Sequence, residues 1–390
     1  MKRFRKAAIV VLDGVGAGSA PDAAAFGDEG SDTLGNTSRA VGGIALPHFE
    51  ALGLGNVVVM QGVRRAAKPA ASWGRMRERA AGKDTTTGHW EMAGVVLDRA
   101  LPTYPRGFPR DVIRTFEKVA GKKPLGNVVA SGTEIIARLG EEHQRTGRPI
   151  VYTSADSVFQ IAAHEETIPL SEQYGMCEAM RAALGGEHAV GRVIARPFVG
   201  KPGGYRRTNN RRDFSLEPPG TTILDLLVAA GHEVVAVGKI DDIFARRGIT
   251  RSHHVLPNLE CVDATIQALS EIDTGLVFTN LVEFDMSFGH RNDPEGLAGA
   301  LRELDARVPD LLEAARAGGL LLFTADHGND PTTASTDHSR EEVPLLAWTG
   351  RPGTALGVRS SFADLGATLA ENFGVEGLAA GTSFLADLPA

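Results

Sequence analysis

Cysteine is nearly absent: the 390 residues hold two, Cys177 and Cys261, far apart and outside any CxxC pair. That scarcity excludes a disulfide framework and a thiolate metal site, and reads as the reduced thiols of a cytoplasmic protein. Excess positive charge is lacking too. With 41 Lys and Arg against 48 Asp and Glu, a net charge of −7, the chain carries no basic footprint, so no nucleic-acid partner is expected. No run approaches the length of about 18 apolar residues that a membrane span requires, so no membrane partner is expected either. The opening "MKRFRKAAIVVLDGVGAGSA" imitates a signal peptide, but its apolar run Ala7–Leu12 ends after six residues in Asp13, short of a secretory core. Internal repeats and low-complexity segments are missing, as is any GxxxxGKS/T loop of the P-loop kind.

What is present are short apolar runs at intervals: Ala7–Leu12, Val57–Met60, Val234–Val237, Leu276–Val282 and Leu320–Thr324. Such runs suit buried parallel strands. Helical stretches lie between them, among them Thr222–Ala230, closed by Gly231, and Pro294–Ala317. Alternation of this kind predicts a doubly wound α/β sheet. From about Asp98 to Glu217 turn signals crowd together, and "EPPG" at Glu217–Gly220 suits a hinge. Residues 99–217 are therefore expected to form a smaller α/β domain inserted into a core made of residues 1–98 and 218–390.

Three of the apolar runs end in, or just before, an aspartate: Asp13, Asp285 and Asp326. Ligand crevices of open α/β sheets lie beyond the carboxyl ends of the strands, so the three acids should converge there. Convergent carboxylates repel unless cations separate them. His290 and His327 follow Asp285 and Asp326 within five residues, His338 lies eleven residues beyond His327, and a mixed set of carboxylates and imidazoles suits a pair of divalent ions such as manganese or zinc. Asp326 and His327 are adjacent, so both can face one metal only if the strand has already turned, with Gly328 helping it to do so.

The stretch "GKDTTTGHWE" then acquires a role, because a two-metal site can bind a threonine oxygen and depress its pKa. Thr85, Thr86 and Thr87 are the candidates, and spacing does not choose among them. A helix starting there would also offer free N–H groups to an anion. "DGVGAGS" superficially suggests a dinucleotide loop, but a third glycine or alanine is missing at Ser19. A metal-binding module without catalysis would leave the threonines idle.

Taken together, "VLDGVGAG", "GKDTTTGHWE", "YTSADSVFQIAAHE", "VIARPFVG", "EFDMSFGHRND", "TADHGNDPTT" and "STDHSREEVPLL" resemble the prokaryotic phosphopentomutases of the alkaline phosphatase superfamily, over nearly the whole chain. The resemblance implies two manganese ions, one held by Asp285, His290 and His338, the other by Asp13, Asp326, His327 and the oxygen of Thr85. Thr85 is singled out because it follows Asp84, as the nucleophile follows an acid in related phosphatases; Thr86 stands where a bulkier residue is expected. Also implied are interconversion of ribose 1-phosphate and ribose 5-phosphate, or the 2-deoxy forms, through phosphothreonine, and priming by a sugar bisphosphate such as glucose 1,6-bisphosphate. The inserted domain would act as a lid. Ser154 and Asp156 would take sugar hydroxyls, while Arg192, the Ile194 backbone, Arg207, Arg211 and Lys239 would take the distal phosphate and its surroundings. The nearest rivals are a cofactor-independent phosphoglycerate mutase or a phosphomonoesterase of the same superfamily, distinguished by the inserted domain.

Overall fold

A computed structural model describes residues 4–154, 156–316 and 318–389. The chain divides into two compact units, Met1–Ala100 with Pro218–Ala390, and Leu101–Glu217. In chain order the strands are β1 (Lys6–Leu12) and β2 (Ser72–Met76) of the first unit. The second unit contributes β3 (Leu125–Val129), β4 (Ile150–Thr153), β5 (Val158–His164), β6 (Arg192–Val199), β7 (Arg206–Arg207) and β8 (Arg212–Ser215). The first unit resumes with β9 (Glu233–Val237), β10 (Arg251–His253), β11 (Gly275–Leu281), β12 (Gly319–Thr324), β13 (Val343–Trp348) and β14 (Ala355–Arg359). The helices used below are α1 (Thr85–Met92), α2 (Arg110–Ala120), α3 (Gly132–Thr146), α4 (Leu170–Ala183), α5 (Ile223–Ala229), α6 (Asn258–Glu271), α7 (Pro294–Ala315) and α8 (Ala363–Phe373).

In the first unit eight strands run in the order β10-β9-β11-β1-β12-β13-β2-β14. β1 is central, parallel to β11 on one side and to β12 on the other, with Leu12 opposite Leu281 and Val11 opposite Thr324. Their runs of Ala, Val, Ile and Leu are buried throughout, because helices cover both faces. Neighbours on β11 show the two layers: Thr279 Oγ1 lies 2.6 Å from Thr265 Oγ1 of α6, while the ring of Phe278 stacks on His89 of α1 at 5.6 Å. Successive side chains of a strand point to opposite faces, so α6 and α1 flank the sheet. The doubly wound expectation holds.

Four expected strands stand within a residue or so of their sequence limits, and one does not. Val57–Met60 is no strand: Leu54–Val57 is a helical turn, and Met60 makes only an isolated bridge to Val63. The strand that fills this part of the sheet is β2, "SWGRM", whose central Gly74 and charged Arg75 hide it from an apolar-run search. The helix expected over Thr222–Ala230 is α5, with Thr222 as N-cap in a capping box with Asp225. The helix expected over Pro294–Ala317 is α7; Ala317 itself lies outside the described residues.

The second unit is a smaller mixed sheet, β3-β4-β5-β6-β7, with β8 also paired to β6. Val151, Phe159, Ile161, Val193 and Ala195 point to the face packed with Val112 and Phe116 of α2 and Met176, Cys177 and Met180 of α4. Ile150, Tyr152, Ala162 and Phe198 point the other way and pack on Ile135 and Ile136 of α3. Both cysteines are buried and unpaired, and burial pushes the Cys261 thiol up to about 12, so neither is a reactive thiolate.

Candidate active site

Because β11, β1 and β12 are adjacent and parallel, the residues that follow them emerge at one edge. Asp13 follows β1 directly, Asp285 lies in the helical turn Phe284–Phe288 after β11, and Asp326 lies two residues past β12. All three are buried. The turn that Asp326 and His327 require has taken place, since β12 ends at Thr324 and Asp326 Oδ2 lies 3.4 Å from His327 Nε2. Gly328 has a different purpose from easing that turn: a Cβ there would fall 2.3 Å from Glu341 Oε1, and one at Gly16 would fall 2.2 Å from Glu341 Oε2. Gly16 and Gly328 thus make room for a buried carboxylate rather than for a dinucleotide.

Two sets of ligand atoms gather within 4.8 Å of one another: Asp13, Asp326 and His327, and Asp285, His327 and His338. His327 belongs to both. His290 joins the second set through Asp285, its Nε2 standing 3.0 Å from Oδ2, while His338 Nε2 stands 3.6 Å from Oδ1. His290 Nδ1 faces the Thr336 carbonyl at 2.7 Å and His327 Nδ1 the Gly328 carbonyl at 3.0 Å, which orients each Nε2 inward. A third grouping is more exposed: Asp241 and Asp242 lie in the turn after Lys239, and His254 directly follows β10.

Thr85 is the first residue of α1. Its Oγ1 is 3.1 Å from His327 Nε2 and 3.5 Å from Asp13 Oδ1, which brings this hydroxyl to the cluster. Thr87 is engaged elsewhere, donating to Asp84 Oδ2 at 2.6 Å, and Asp84 caps the helix by accepting from the Thr87 N–H at 3.1 Å.

Electrostatics in the cluster favour cations. Burial, followed by the neighbouring Asp326 carboxylate, pushes Asp13 up. Burial also opposes the charge of Asp285, but hydrogen bonds from His290 and His338 outweigh it and hold Asp285 well below the usual range. His327 resists burial because Asp326 and Asp13 surround it, and it is raised well above its ordinary value. A field that draws protons onto imidazoles draws divalent ions as well. Asp326 Oδ2 is buried with the imidazoles of His89 at 3.1 Å and His327 at 3.4 Å but no well-aligned hydrogen bond, an acceptor that a cation would satisfy. The donor set, three carboxylates and three imidazoles, fits divalent metals.

Several participants escaped the sequence reading. His89, one helical turn after Thr85, places Nδ1 2.9 Å from the Thr85 carbonyl and 3.1 Å from Asp326 Oδ2. Asn280 donates to Asp13 Oδ2 at 2.8 Å, and Asn329 to Asp285 Oδ1 at 2.7 Å. Asn280 is the penultimate residue of β11 and therefore faces the end of β1, a relation visible only once strand order is known.

In the second unit the expected substrate residues lie on β6 or beside it, with Arg192 at its start and Arg207 opposite Phe198 near its end. Ser154 and Asp156 lie in the β4–β5 loop, Arg192 and Ile194 alternate along β6, and Arg207 lies on β7. Arg192 reaches Asp156 at 3.9 Å and Asp213 at 3.5 Å. Arg211 already sets its fork on Asp213, at 2.7 and 2.6 Å. Arg196, two residues past Ile194 and so on the same face, was missed; its Nε donates to Gln160 at 3.0 Å, and burial, then Arg211, lowers its pKa. Lys239 belongs to the first unit, directly before the turn Ile240–Ile243.

Comparison with known proteins places this geometry. The model of the metalloenzyme superfamily matches residues 5–377. A phosphopentomutase of Anaeromyxobacter dehalogenans is 59% identical over 386 residues, 98% of this chain and 99% of that protein. The chain belongs to the phosphopentomutase family. A second relative, the phosphopentomutase of Acetivibrio thermocellus, is 55% identical over 387 residues, 99% of this chain and 100% of its own. The chain is accordingly an isomerase of the phosphotransferase kind and a metal-binding protein. Among solved structures, the phosphoglycerate mutase of Leishmania mexicana, studied at low cobalt concentration, matches with a TM-score of 0.50 at 13% identity over 98% of this chain and 97% of its own, a likeness of fold. No helix among the described residues is long and apolar enough to cross a membrane.

Proposed function

We propose that the chain interconverts α-D-ribose 1-phosphate and D-ribose 5-phosphate, and their 2-deoxy forms, through a phosphothreonine at Thr85. The observation that carries this is the position of the Thr85 hydroxyl, 3.1 Å from His327 and 3.5 Å from Asp13 at the head of a helix. Asp285, His290 and His338 would hold one divalent ion; Asp13, Asp326, His327 and Thr85 would hold the other, with manganese suited to the mixed oxygen and nitrogen donors. When bound, such ions depress the pKa of a ligated hydroxyl and balance phosphoryl charge.

In the first transfer the bond from phosphorus to Thr85 Oγ1 breaks as one forms to the free C1 or C5 hydroxyl, giving a sugar bisphosphate. The attacking hydroxyl loses a proton and the departing oxygen gains one. In the second transfer Thr85 takes the other phosphoryl group back. Positioning and charge stabilisation supply most of the rate in such reactions. Asp84 and the helix N-terminus fix the Thr85 end of the path, and His89 holds the Thr85 carbonyl. Ser154, Asp156, Arg192, Ile194, Arg207, Arg211 and Lys239 would hold the sugar and its distal phosphate. The inserted unit would serve as the substrate-binding cap, with Arg196 beside them. A sugar bisphosphate such as glucose 1,6-bisphosphate would prime Thr85. Work in the cytoplasm accords with the two unpaired thiols.

The deciding experiment is an assay of manganese-loaded protein with ribose 5-phosphate, 3-phosphoglycerate and an aryl phosphate, beside Thr85→Ala. Turnover of the pentose phosphate alone, with phosphothreonine mapped to Thr85, is expected. Label that persists in Thr85→Ala would remove Thr85 as nucleophile, and preference for 3-phosphoglycerate would remove the pentose.

A further inference from the structure

The segment His338–Glu342 offers one imidazole to the candidate metal cluster, yet its most connected side chain is Arg340. Arg340 is 3% exposed, and every N–H of its guanidinium finds an acceptor. Nε and Nη2 hold Asp22 Oδ2 at 3.1 and 3.0 Å, and Nη1 holds Glu78 Oε2 at 2.7 Å. Beyond these counter-ions it binds three carbonyls of one strap: Glu78 at 2.8 Å, Ala80 at 2.9 Å and Gly82 at 2.7 Å.

That strap leads directly into Asp84 and Thr85. Its N–H groups are held from the other direction, Arg79 and Ala80 donating to Glu91 of α1 at 3.0 and 2.6 Å. Lys83 continues the brace, with Nζ 2.9 Å from Asp28 Oδ2, the oxygen that also accepts the Arg340 main-chain N–H at 2.8 Å. On the other side, Ser339 exchanges two hydrogen bonds with Gly328, the residue after His327, at 3.0 and 2.7 Å. Two carboxylates neutralise the guanidinium, and its remaining N–H donors still need acceptors when buried. Those acceptors are three carbonyls at alternate positions of one segment, the one that delivers the nucleophile. Meanwhile Glu78 Oε1 is left without a partner, so the arrangement satisfies the arginine before the acid.

We propose that Arg340 is a positioning residue for phosphoryl transfer, its planar fork keeping the Thr85 loop in register with His338 and His327. The proposal rests on the reading of Thr85 as nucleophile. Lysine keeps the charge but has three donors and no fork, so Arg340→Lys separates geometry from charge.

The test uses the full, manganese-loaded chain. Rapid-quench labelling from glucose 1,6-bisphosphate, kcat and KM for ribose 5-phosphate, and metal content would be measured for wild type, Arg340→Lys and Arg340→Met. Glu342→Gln, whose carboxylate holds Arg75 and Arg77 instead of the strap, is the control for general loosening. In Arg340→Lys the labelling rate and kcat should fall about 10²-fold, the scale of a small misplacement of reacting atoms. KM should stay within about 3-fold, metal content should be retained, and Glu342→Gln should label at the wild-type rate. Arg340→Lys that labels as fast as wild type, or loses rate only in proportion to lost metal, overturns the role. Glu342→Gln slowing equally at a matched melting temperature overturns it too. An unlabelled wild type would instead overturn the assignment of Thr85, and this proposal with it. Should Arg340→Met fail to fold, Arg340→Lys and Glu342→Gln still decide between these outcomes.

Discussion

His89 shows what single residues contribute around the cluster. It sits fully buried between the Thr85 carbonyl and Asp326, with its ring on Phe278. Removing such an outer partner costs about 10- to 100-fold in metal affinity or activity, so His89→Ala should lose that much kcat or metal affinity, read by kinetics and metal titration. His290 adds a pH dependence. Its hydrogen bond to Asp285 raises it from 6.5 to about 9 in the metal-free protein. The folded state therefore binds this proton more tightly than the unfolded chain does. The stabilisation is complete below 6.5 and is lost as pH climbs through about 9. In chelator, the difference in denaturation midpoint between wild type and His290→Asn should shrink across that window. A flat difference would show that the Asp285 bond does not form. Asp13, Asp285, Asp326 and His327 were legible because they follow conspicuous apolar runs, whereas His338, in a polar stretch, was pointed to by the family resemblance. His89, Asn280 and Asn329 were not, because a partner's identity depends on which strands and turns become neighbours.

The positions of elements are set by similarly local rules. Helix α1 approaches the end of β12 through Gly88, where a Cβ would fall 2.2 Å from the Asp326 carbonyl oxygen. Gly88→Ala must push α1, and Thr85 with it, away from Asp326. Overpacking of this kind costs about 1–3 kcal/mol, and kcat should fall by more than the stability loss explains, as denaturant melts and kinetics together would show. Helix α5 offers a contrast remote from the cluster: Thr222→Ala removes the capping box and should cost about 1 kcal/mol with kcat unchanged in the folded fraction. Element types followed from sequence where hydrophobicity was continuous, as in β1, β11 and β12. They failed at Val57–Met60 and at β2, because a four-residue apolar run serves equally as a helical turn, and a strand interrupted by Gly74 and Arg75 takes its place from its neighbours β13 and β14.

At the scale of the molecule, two units with separate cores should answer a metal separately. Hydrogen exchange on the full chain with manganese and then with chelator should change protection at the ends of β1, β11 and β12 and in the Thr85 loop. Amides within the core of Leu101–Glu217 should keep their rates. Equal changes in both units would mean that the ion stabilises the chain globally. The turn signals that marked off this unit were readable because they are dense over a hundred residues. The convergence of its arginines on one sheet face was only partly so, since Arg196 shares a face with Arg192 and Ile194 only after β6 is known to be regular.

The placement of β1 has a consequence for biosynthesis. This strand leaves the ribosome well before both its partners, which are encoded more than 260 residues later, β11 starting at Gly275 and β12 at Gly319. At roughly 5–20 residues per second, a nascent "KAAIVVL" waits tens of seconds with both edges unpaired, while the contiguous second unit can fold behind it. Chains stalled before Gly319 should therefore be bound by holdase chaperones at β1, and release should follow the emergence of β12.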